Sequence, residues 1–331
     1  MRIKIGERSK KNERLGRSRK KTVLSKKEEK YMPHILRGMN DILPEDQIYW
    51  DFVLDKLETI ARSYGFSRIT LPILEEKKLF ERGVGAATDI VEKQMFTFTD
   101  KSGTPVVLRP EGTSSVVRAY IEHGMYNLPQ PVKLYYFGPM FRYERPQTGR
   151  QREFWQFGVE VLGSKEPIVD AEIILFVQDV FQILGLKISL EINSIGCETC
   201  RKIYKKKLID YLKNKKDKFC SDCQRRFEIN PLRILDCKEQ TCQFFINQSP
   251  QIIDWLCEDC RNHFTHLLEY LDNIGVVYSL NPRIVRGLDY YTKTVFEILA
   301  KREEGRSGQM ALGGGGPVSY THLTLPTNRE V

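Results

Sequence analysis

The sequence predicts an α+β fold, with an antiparallel sheet flanked by helices and a helical, cysteine-rich insertion. The first observation is a hairpin pattern, in which apolar strand segments at 133–144 and 153–163 flank a polar loop that contains a glycine. The second is that helical segments come in groups and do not alternate with strands. The third is that all eight cysteines fall within residues 197–260.

The individual elements follow from hydrophobic periodicity, because helices repeat every 3.6 residues and strands every two. The predicted helices cover residues 48–64, 115–123, 170–184 and 263–275. The predicted strands cover residues 66–74, 106–112, 133–144, 153–163, 187–195, 276–281 and 282–299. We expect the last two strands to pair with each other.

Length and composition are those of a large globular protein. The chain has 331 residues, 41% hydrophobic and 29% charged, which is enough for a large core and two units. No apolar run approaches the roughly 20 residues of a membrane span, and the N-terminus lacks the apolar stretch of a secretory signal. We therefore expect a cytoplasmic protein without membrane contact.

The basic charge is concentrated at the N-terminus. Residues 1–31 hold 13 Lys and Arg against 4 Asp and Glu, whereas the other 300 residues hold 39 of each sign. A segment so charged cannot form a core, so we predict a disordered basic tail over residues 1–31. Contact with RNA is one interpretation of the tail. A dispensable extension, or translation begun upstream of Met32, would leave the same pattern.

Charged residues crowd the turn of the predicted hairpin. Arg142 and Glu144 lie two apart on one strand, so their side chains share a face. A fixed arginine can bind an oxyanion through two hydrogen bonds, and a nearby carboxylate can accept from an exocyclic amine. Arg150, in the turn, would suit a terminal phosphate. A solvated, salt-bridged hairpin tip is the alternative interpretation.

A second group of residues favours an amino-acid ligand. Glu111 follows a proline at the end of a predicted strand, just before Thr113. Gln156 and Glu160 lie four apart on the returning strand and face the same way. Because a buried acidic cluster without a cation is costly, we expect Glu111, Gln156 and Glu160 to receive an ammonium or imidazole group.

The strand segment VRGLDYYTKTVFE, at 285–297, carries groups that demand partners. Its first half contains Arg286 and the adjacent Tyr290 and Tyr291. A strand that only filled a core would not need these polar groups, so the three residues are candidates for a functional site. The alternatives are a surface position for Arg286 and a core position with a satisfied hydroxyl for each tyrosine.

The cysteines pair at the spacing of metal ligands. The pairs are Cys197/Cys200, Cys220/Cys223, Cys237/Cys242 and Cys257/Cys260. Eight paired thiolates would permit two tetrahedral Cys₄ zinc sites. Reduced structural cysteines are the main alternative, and disulfides are a weaker one in a cytosolic protein. Because no site evidently pairs a histidine with a cysteine, the sequence does not indicate a catalytic thiol.

Five segments resemble the histidyl-tRNA synthetase family of class II aminoacyl-tRNA synthetases. They are RGMNDILP (37–44), LRPEGT (108–113), GPMFRYERPQTGR (138–150), EFWQFGVEVLG (153–163) and VRGLDYYTKTVFE (285–297). The resemblance covers about residues 32–312. It implies ATP-dependent activation of histidine, assisted by Mg²⁺, and transfer to tRNA(His) by a homodimer whose interface residues 46–74 build.

The resemblance also divides the chain. It implies a catalytic core over 32–196 with motifs 1 and 2, an insertion over 197–261, a continued core over 262–312 and a non-family tail over 313–331. The insertion is basic, because residues 201–233 hold 12 Lys and Arg against 4 Asp and Glu. The family implies that it clamps the acceptor arm of tRNA. A solvated helical face is the alternative.

Roles for individual residues come from the same resemblance. Arg142 would bind the α-phosphate of ATP and the histidine carboxylate, Glu144 the adenine amine, and Arg150 the γ-phosphate end. Arg286 would be the catalytic cation against the α-phosphate, together with Arg142. The implied histidine pocket consists of six side chains, Glu111, Thr113, Gln156, Glu160, Tyr290 and Tyr291.

After Leu312 the resemblance stops. The family continues into motif 3 and an anticodon-binding domain, whereas this chain reads GGPVSYTHLTLPTNREV. We therefore expect a C-terminally truncated copy of the enzyme. Two other functions stay open at this point. One is a regulatory paralogue that acts as a subunit of ATP phosphoribosyltransferase in histidine biosynthesis, and the other is a non-catalytic module that binds zinc and RNA.

Overall fold

The computed structural model describes residues 32–85, 88, 90–147, 149–285, 290–301 and 311–319. The chain divides into Met1–Ile35 and Leu36–Val331, and the second unit holds the helices and strands described. The predicted disordered tail over residues 1–31 lies outside the described residues. Within the described ranges, no helix combines the length and the apolar character needed to cross a membrane.

The described ranges contain eight α-helices. They are α1 Pro44–Ser63, α2 Lys77–Phe80, α3 Thr113–Glu122, α4 Pro167–Ile183, α5 Glu198–Leu212, α6 Ser221–Ile229, α7 Gln240–Ile246 and α8 Glu258–Asn273. Helix α1 begins with Pro44 and two acidic residues, which suit a helix N-terminus, and Gly65 follows its end with φ +79°.

The same ranges contain ten strands. They are β1 Ser67–Arg68, β2 Leu74–Glu76, β3 Thr97–Thr99, β4 Pro105–Leu108, β5 Val132–Phe141, β6 Glu153–Leu162, β7 Ile188–Gly196, β8 Ser279–Leu280, β9 Lys293–Ala300 and β10 Ala311–Gly315. Their order is β1-β5-β6 in one sheet, β2-β4-β3 in a second and β10-β9-β7-β8 in a third. The predicted α+β class is confirmed, as small and mainly antiparallel sheets flanked by helices.

Two details of the strand prediction are wrong. The segments 276–281 and 282–299 do not pair with each other, because β7 lies between them and pairs with β8 on one side and β9 on the other. The predicted strand over 66–74 is reduced to the two residues of β1, followed by β2 from Leu74 onward. Pro72 interrupts it, since proline has no N–H for a ladder.

The hairpin of β5 and β6 is the longest pairing and is covered on both faces. Ten residue pairs run from Val132 opposite Leu162 to Phe141 opposite Glu153. One face packs Tyr135 against α1 and α4, where Ala61 and Phe176 are fully buried. The other face packs against α3. Coverage on both sides explains why β5 is an almost continuous apolar run instead of a clean alternation.

Two glycines make room for one aromatic ring on the second face. Tyr136 lies directly opposite Gly158 in the hairpin, and Gly112 precedes α3. A Cβ atom at either glycine would lie 2.3 Å from the Tyr136 ring, far inside van der Waals contact. The ring is therefore held between two backbone surfaces, and its hydroxyl is fixed in place.

The insertion is helical, as predicted, and has its own apolar centre. It follows β7 and contains α5, α6, α7 and the start of α8, joined by short 3₁₀ turns. Tyr204 and Leu208 of α5 are fully buried with Ile246 of α7, in a cluster that extends to Tyr290 and Tyr291. The insertion thus packs next to the segment that precedes β9.

We predict that Gly158→Ala lowers the free energy of unfolding by about 2 kcal/mol, because the new methyl group would push the Tyr136 ring out of place. Chemical denaturation followed by circular dichroism measures the change. Gly313→Ala is the matched control, since its Cβ meets no atom within 4 Å, and it should change the value by less than about 0.5 kcal/mol. Equal effects of the two substitutions would contradict the packing account.

Candidate active site

The turn before α3 carries a buried acid that is already satisfied. Glu111 is 2% exposed, and its carboxylate accepts hydrogen bonds from the backbone N–H groups of Thr113 at 2.7 Å and Ser114 at 2.9 Å. Those N–H groups lie in the first turn of α3, where the helix dipole favours a negative charge. Glu111 therefore caps the N-terminus of α3 and holds Thr113 close to the hairpin.

The second acid, Glu160, lies on β6 and has weaker support. Thr113 Oγ1 donates to its Oε1 at 2.7 Å, and the Tyr136 hydroxyl lies 3.5 Å from the same oxygen. Gln156, four residues earlier on the same face, donates from Nε2 to the Tyr136 hydroxyl at 3.2 Å. The structure thus brings Glu111, Thr113, Gln156 and Glu160 together, with Tyr136 at their centre.

Glu160 and Tyr136 of this cluster both have raised pKa values. The pKa of Glu160 is raised to about 8, mainly by burial and also by the charge of Glu111, while the hydrogen bonds from Thr113 and Tyr136 oppose the rise. Burial also raises the pKa of Tyr136 well above its usual range, with Glu160, Glu111 and Tyr291 adding to the effect. Glu160 as a residue keeps partial solvent access, so a ligand can reach it.

Among the described residues, no ion pair supplies a cation to Glu160, so the cluster is an acidic pocket. A cationic ligand group placed against Glu160 would favour its ionised form and replace the missing countercharge. An ammonium or imidazolium group has this chemistry. The pocket can therefore bind a small cationic ligand through Glu160, while Thr113 and Gln156 supply oriented hydrogen-bonding groups.

Arg142 lies at the end of β5, held against the same turn. Its Nε donates to the carbonyl oxygen of Pro110 at 2.9 Å, and its guanidinium stacks 5.0 Å from the centre of the Phe154 ring. Two fixed partners orient the guanidinium plane against the turn that also carries Glu111. An arginine held in this way is suited to bind a carboxylate or phosphate next to the acidic pocket.

The hairpin turn places the other two predicted nucleotide contacts together. Arg150 Nη1 lies 3.5 Å from Glu144 Oε2, and the Arg150 side chain is 63% exposed. The Glu144 side chain is 18% exposed, so the mobile partner of the pair is Arg150, which can change partners at low cost. This pair also matches the salt-bridged hairpin tip that the sequence left as an alternative.

Tyr290 and Tyr291 are both buried, at 6% and 7% exposure, with ring centres 4.8 Å apart. The backbone at 290–292 pairs with 317–319, through Ser319 N to Tyr290 O at 2.8 Å and Thr292 N to Pro317 O at 2.9 Å. Their burial fits both the pocket and the core interpretation. Arg286, the predicted catalytic cation, lies outside the described residues.

Two site residues were missed from the sequence. Tyr136 occupies the centre of the acidic cluster, and Arg109 is 4% exposed and donates to the carbonyl oxygens of Pro139 and Leu71. Arg109 thereby ties the end of β4 to β5 and to the segment before β2. Glycines at 138 and 158 inside strands were the available signal, because glycine in a strand marks a close approach. Cβ atoms there would strike Arg109 and Tyr136 respectively.

A cavity of about 360 Å³ lies between the insertion and the segment before β9. Its wall includes Arg201, Lys202 and Lys205 of α5, and Tyr291 lines the opposite side. Arg201 Nη1 also donates to the backbone oxygen of Tyr291 at 2.8 Å. The cavity therefore offers positive charge close to the buried tyrosines.

The eight cysteines form two separate groups of four. The neck cluster, where the chain enters and leaves the insertion, consists of Cys197, Cys200, Cys257 and Cys260; the inner cluster consists of Cys220, Cys223, Cys237 and Cys242. Within each cluster the sulfur atoms lie within 4.8 Å of one another, and all eight thiols are free. Either cluster could hold a metal ion.

A sequence model described as histidyl-tRNA synthetase matches residues 38–213, more than half of the chain. The histidine–tRNA ligase of Desulfitobacterium hafniense (strain DSM 10664 / DCB-2) is 52% identical over 281 residues, covering 85% of this chain and 66% of that protein. The histidine–tRNA ligase of Desulforamulus reducens is 50% identical with the same coverage. The chain thus spans just under two thirds of the length of these relatives.

Solved structures agree with the sequence match. Apo histidyl-tRNA synthetase from S. aureus superimposes with a TM-score of 0.68 at 40% identity, over 86% of this chain and 66% of that one. A protein from Bacillus halodurans, titled as an ATP phosphoribosyltransferase regulatory subunit/histidyl-tRNA synthetase, shares the fold with a TM-score of 0.60 but only 22% identity. The regulatory paralogue is therefore the less supported alternative, and this chain belongs to the histidyl-tRNA synthetase family.

Proposed function

We propose that this protein is a histidine–tRNA ligase, which activates histidine with ATP and transfers it to tRNA(His). The observation that carries the proposal is the acidic pocket of Glu111, Glu160 and Tyr136 beside the fixed guanidinium of Arg142. An acidic pocket and an oriented arginine at the same turn match the two ends of an amino acid, whose ammonium and carboxylate carry opposite charges. The family membership supports this assignment.

The pocket would recognise histidine through two kinds of contact. Glu160 would receive a cationic or N–H donor group of the ligand, and Thr113 and Gln156 would orient the rest by hydrogen bonds. Tyr290 and Tyr291 would supply the aromatic wall on the imidazole side. Because Glu111 already accepts two backbone N–H groups, its share would be mainly electrostatic.

Activation would place the histidine carboxylate in line with the α-phosphorus of ATP. Arg142 would hold the carboxylate and the α-phosphate together, so that the reacting atoms are close and the developing charge is neutralised. Glu144 would accept from the adenine amine, while Arg150 would leave Glu144 for the γ-phosphate. Arg286 is proposed as the second cation at the α-phosphate. Mg²⁺, when bound with ATP, would neutralise further phosphate charge.

Transfer would require the acceptor end of tRNA(His) near the same pocket. The surface of α5 and the following turn is rich in lysine, and the 360 Å³ cavity with Arg201 and Lys205 opens beside Tyr291. Phosphate contacts of this kind give affinity without reading sequence. We propose that the insertion holds the acceptor arm, and that the reaction takes place in the cytoplasm, where its substrates are found.

A homodimer is part of the proposal. Helix α1 leaves large apolar side chains in solvent, with Ile48 at 73%, Tyr49 at 72% and Phe52 at 53% exposure. Leu36 and Leu43 are also exposed, at 67% and 49%. Contiguous apolar residues on a surface mark an interaction site. We propose that a second copy of the chain covers them, as the family resemblance implies for residues 46–74.

We expect the chain to catalyse exchange of labelled pyrophosphate into ATP only when histidine is present. Arg142→Lys should lower the exchange rate by about 100-fold, because lysine cannot make the paired contacts of a guanidinium. Arg145→Lys, an exposed neighbour on the same segment, is the matched control and should stay within twofold of the unchanged chain. Exchange driven by another amino acid, or equal losses in both variants, would reject the proposal.

The pKa of Glu160 predicts how histidine binding depends on pH. Below pH 8 the carboxyl of Glu160 in the free protein is mostly protonated, so binding of a cationic group releases one proton. The affinity for histidine should therefore rise by up to tenfold per pH unit between about pH 6.5 and 8. Calorimetric titration measures this slope. Glu160→Gln should bind histidine at least tenfold more weakly at pH 8 and show no such slope.

The same pKa has a consequence for stability. Folding raises the proton affinity of Glu160, so its contribution to the unfolding free energy is fully present below pH 4.5 and is lost as pH rises to about 8. Glu160→Gln should remove this loss and keep the fold. Glu153→Gln, on the same strand, is the control and should retain both the binding slope and the stability profile of the unchanged protein.

We expect Phe52→Glu to convert the dimer into a monomer, because a charge would be buried in the apolar interface without a partner. Light scattering after size exclusion measures the mass. Ile183→Glu, a 45% exposed apolar residue on α4, is the control and should leave the mass unchanged. A chain that is monomeric without any substitution would reject the dimer.

A further inference from the structure

We propose that the neck and inner clusters are two separate zinc sites, and that the neck site positions the segment carrying Tyr290 and Tyr291. The first part stands on the cysteine geometry alone. The second part rests on the proposed function in so far as these tyrosines serve a histidine pocket. Zn²⁺ is the metal of choice, because four thiolates in tetrahedral arrangement are its typical structural ligands.

The sulfur–sulfur distances match a metal site and not a disulfide. Cys197 Sγ lies 3.6 Å from Cys200 Sγ and 4.0 Å from Cys257 Sγ, and Cys220 Sγ lies 3.8 Å from Cys237 Sγ. A tetrahedron with zinc–sulfur bonds of about 2.3 Å has edges of about 3.8 Å. A disulfide would require about 2.05 Å. Both clusters therefore have the dimensions of a Cys₄ site before any metal is added.

Backbone N–H groups already point at the sulfur atoms. The N–H of Cys197 donates to Cys260 Sγ at 3.2 Å, and the N–H of Cys257 donates to Cys200 Sγ at 3.1 Å. In the inner cluster the N–H of Cys220 donates to Cys242 Sγ at 3.3 Å. Such bonds stabilise thiolates, the form that binds metal, and they cross between the two pairs of each cluster.

The pairing is nested along the chain. The first and last Cys-x-x-Cys pairs form the neck cluster, and the two middle pairs form the inner cluster. Cys197 directly follows β7, and Cys257 directly precedes α8. A metal at the neck would therefore join the two points at which the chain passes between sheet and insertion. The inner metal would join α6 to α7, entirely inside the insertion.

The neck cluster is bonded to the segment that leads into β9. Gly196, just before Cys197, offers its carbonyl oxygen to Arg201 Nη1 at 3.2 Å and Thr292 Oγ1 at 3.4 Å. Arg201 Nη1 also reaches the Tyr291 oxygen at 2.8 Å. Residue 196 has φ +61°, and a Cβ there would lie 2.5 Å from Cys200 Cβ. The neck cluster and Tyr291 are thus linked through the backbone of Gly196 and the side chain of Arg201.

The Cys257/Cys260 pair is connected to the same strand through an ion pair. Asp259, between Cys257 and Cys260, lies 3.0 Å from Lys293 Nζ. Lys293 begins β9 with φ +54°, and it is the one non-glycine residue with positive φ among the described residues. Both cysteine pairs of the neck therefore contact the start of β9. Because the Asp259 side chain is 75% exposed, this ion pair is the weaker link, and the bonds of Arg201 to Gly196 and Tyr291 are the main route by which a neck metal would fix Tyr290 and Tyr291.

The first test is metal content. The purified 331-residue chain, dialysed against metal-free buffer and analysed by mass spectrometry of its metals, should hold two zinc ions. Cys257→Ser and Cys220→Ser should each lower this to one. Cobalt substitution should give the intense sulfur-to-metal absorption of a tetrahedral thiolate site in each variant. Fewer than two zinc ions per unchanged chain, or simultaneous loss of both ions in each variant, would overturn the two sites.

The second test is hydrogen exchange at residues 290–296. Cys257→Ser should raise amide exchange there by at least tenfold, whereas Cys220→Ser should raise it only inside the insertion. Cys257→His, which restores a zinc ligand at an exposed position, should recover both the second zinc ion and the protection. Equal exchange at 290–296 in the two serine variants would overturn the positioning role.

Histidine binding to the unchanged chain separates the two proposals. Two zinc ions with no histidine binding would reject the proposed ligase function and leave the zinc sites standing. Histidine binding by a chain that holds no zinc would reject the zinc sites and leave the proposed ligase function standing. With both present, Cys257→Ser should weaken histidine binding about tenfold and Cys220→Ser less than twofold.

Discussion

The site depends on an electrostatic imbalance in one pocket. Two acids lie beside Tyr136, and Glu111 is compensated by two N–H groups at the start of α3. Within the described part of the chain, the partners of Glu160 are the hydroxyls of Thr113 and Tyr136, and burial raises its pKa to about 8. A protein would not gain stability from such a group, because a neutral side chain of the same size would cost less. The proposed cationic ligand would account for this imbalance.

The surrounding structure holds this pocket rigid. The ten-residue hairpin is packed on both faces, and Tyr136 is confined between Gly112 and Gly158. Arg142 is fixed by the carbonyl oxygen of Pro110 and the ring of Phe154, so its guanidinium has a set position at the turn that carries Glu111. Rigid supports of this kind allow binding energy to be used for orienting a ligand instead of ordering the protein. The neck cluster would extend the same support to Tyr291.

The sequence predicted the hairpin, the acidic cluster and the cysteine pairs, because each depends on local spacing. Gln156 and Glu160 share a face by strand geometry alone, and they do so in the structure. The central role of Tyr136 could not be predicted, since it depends on glycines from two distant segments. The nesting of the cysteine pairs likewise depends on how β7 and α8 meet. Strands 276–281 and 282–299 were mispaired because β7 intervenes only in three dimensions.

The most direct test of the account is the titration of the Glu160 carboxyl by carbon NMR, with and without histidine. The account predicts a pKa near 8 in the free protein. With saturating histidine the carboxyl should stay ionised down to at least two pH units lower, because a cation then lies against it. A carboxyl that titrates near 4.5 in the free protein, or one that histidine does not shift, would contradict the central claim.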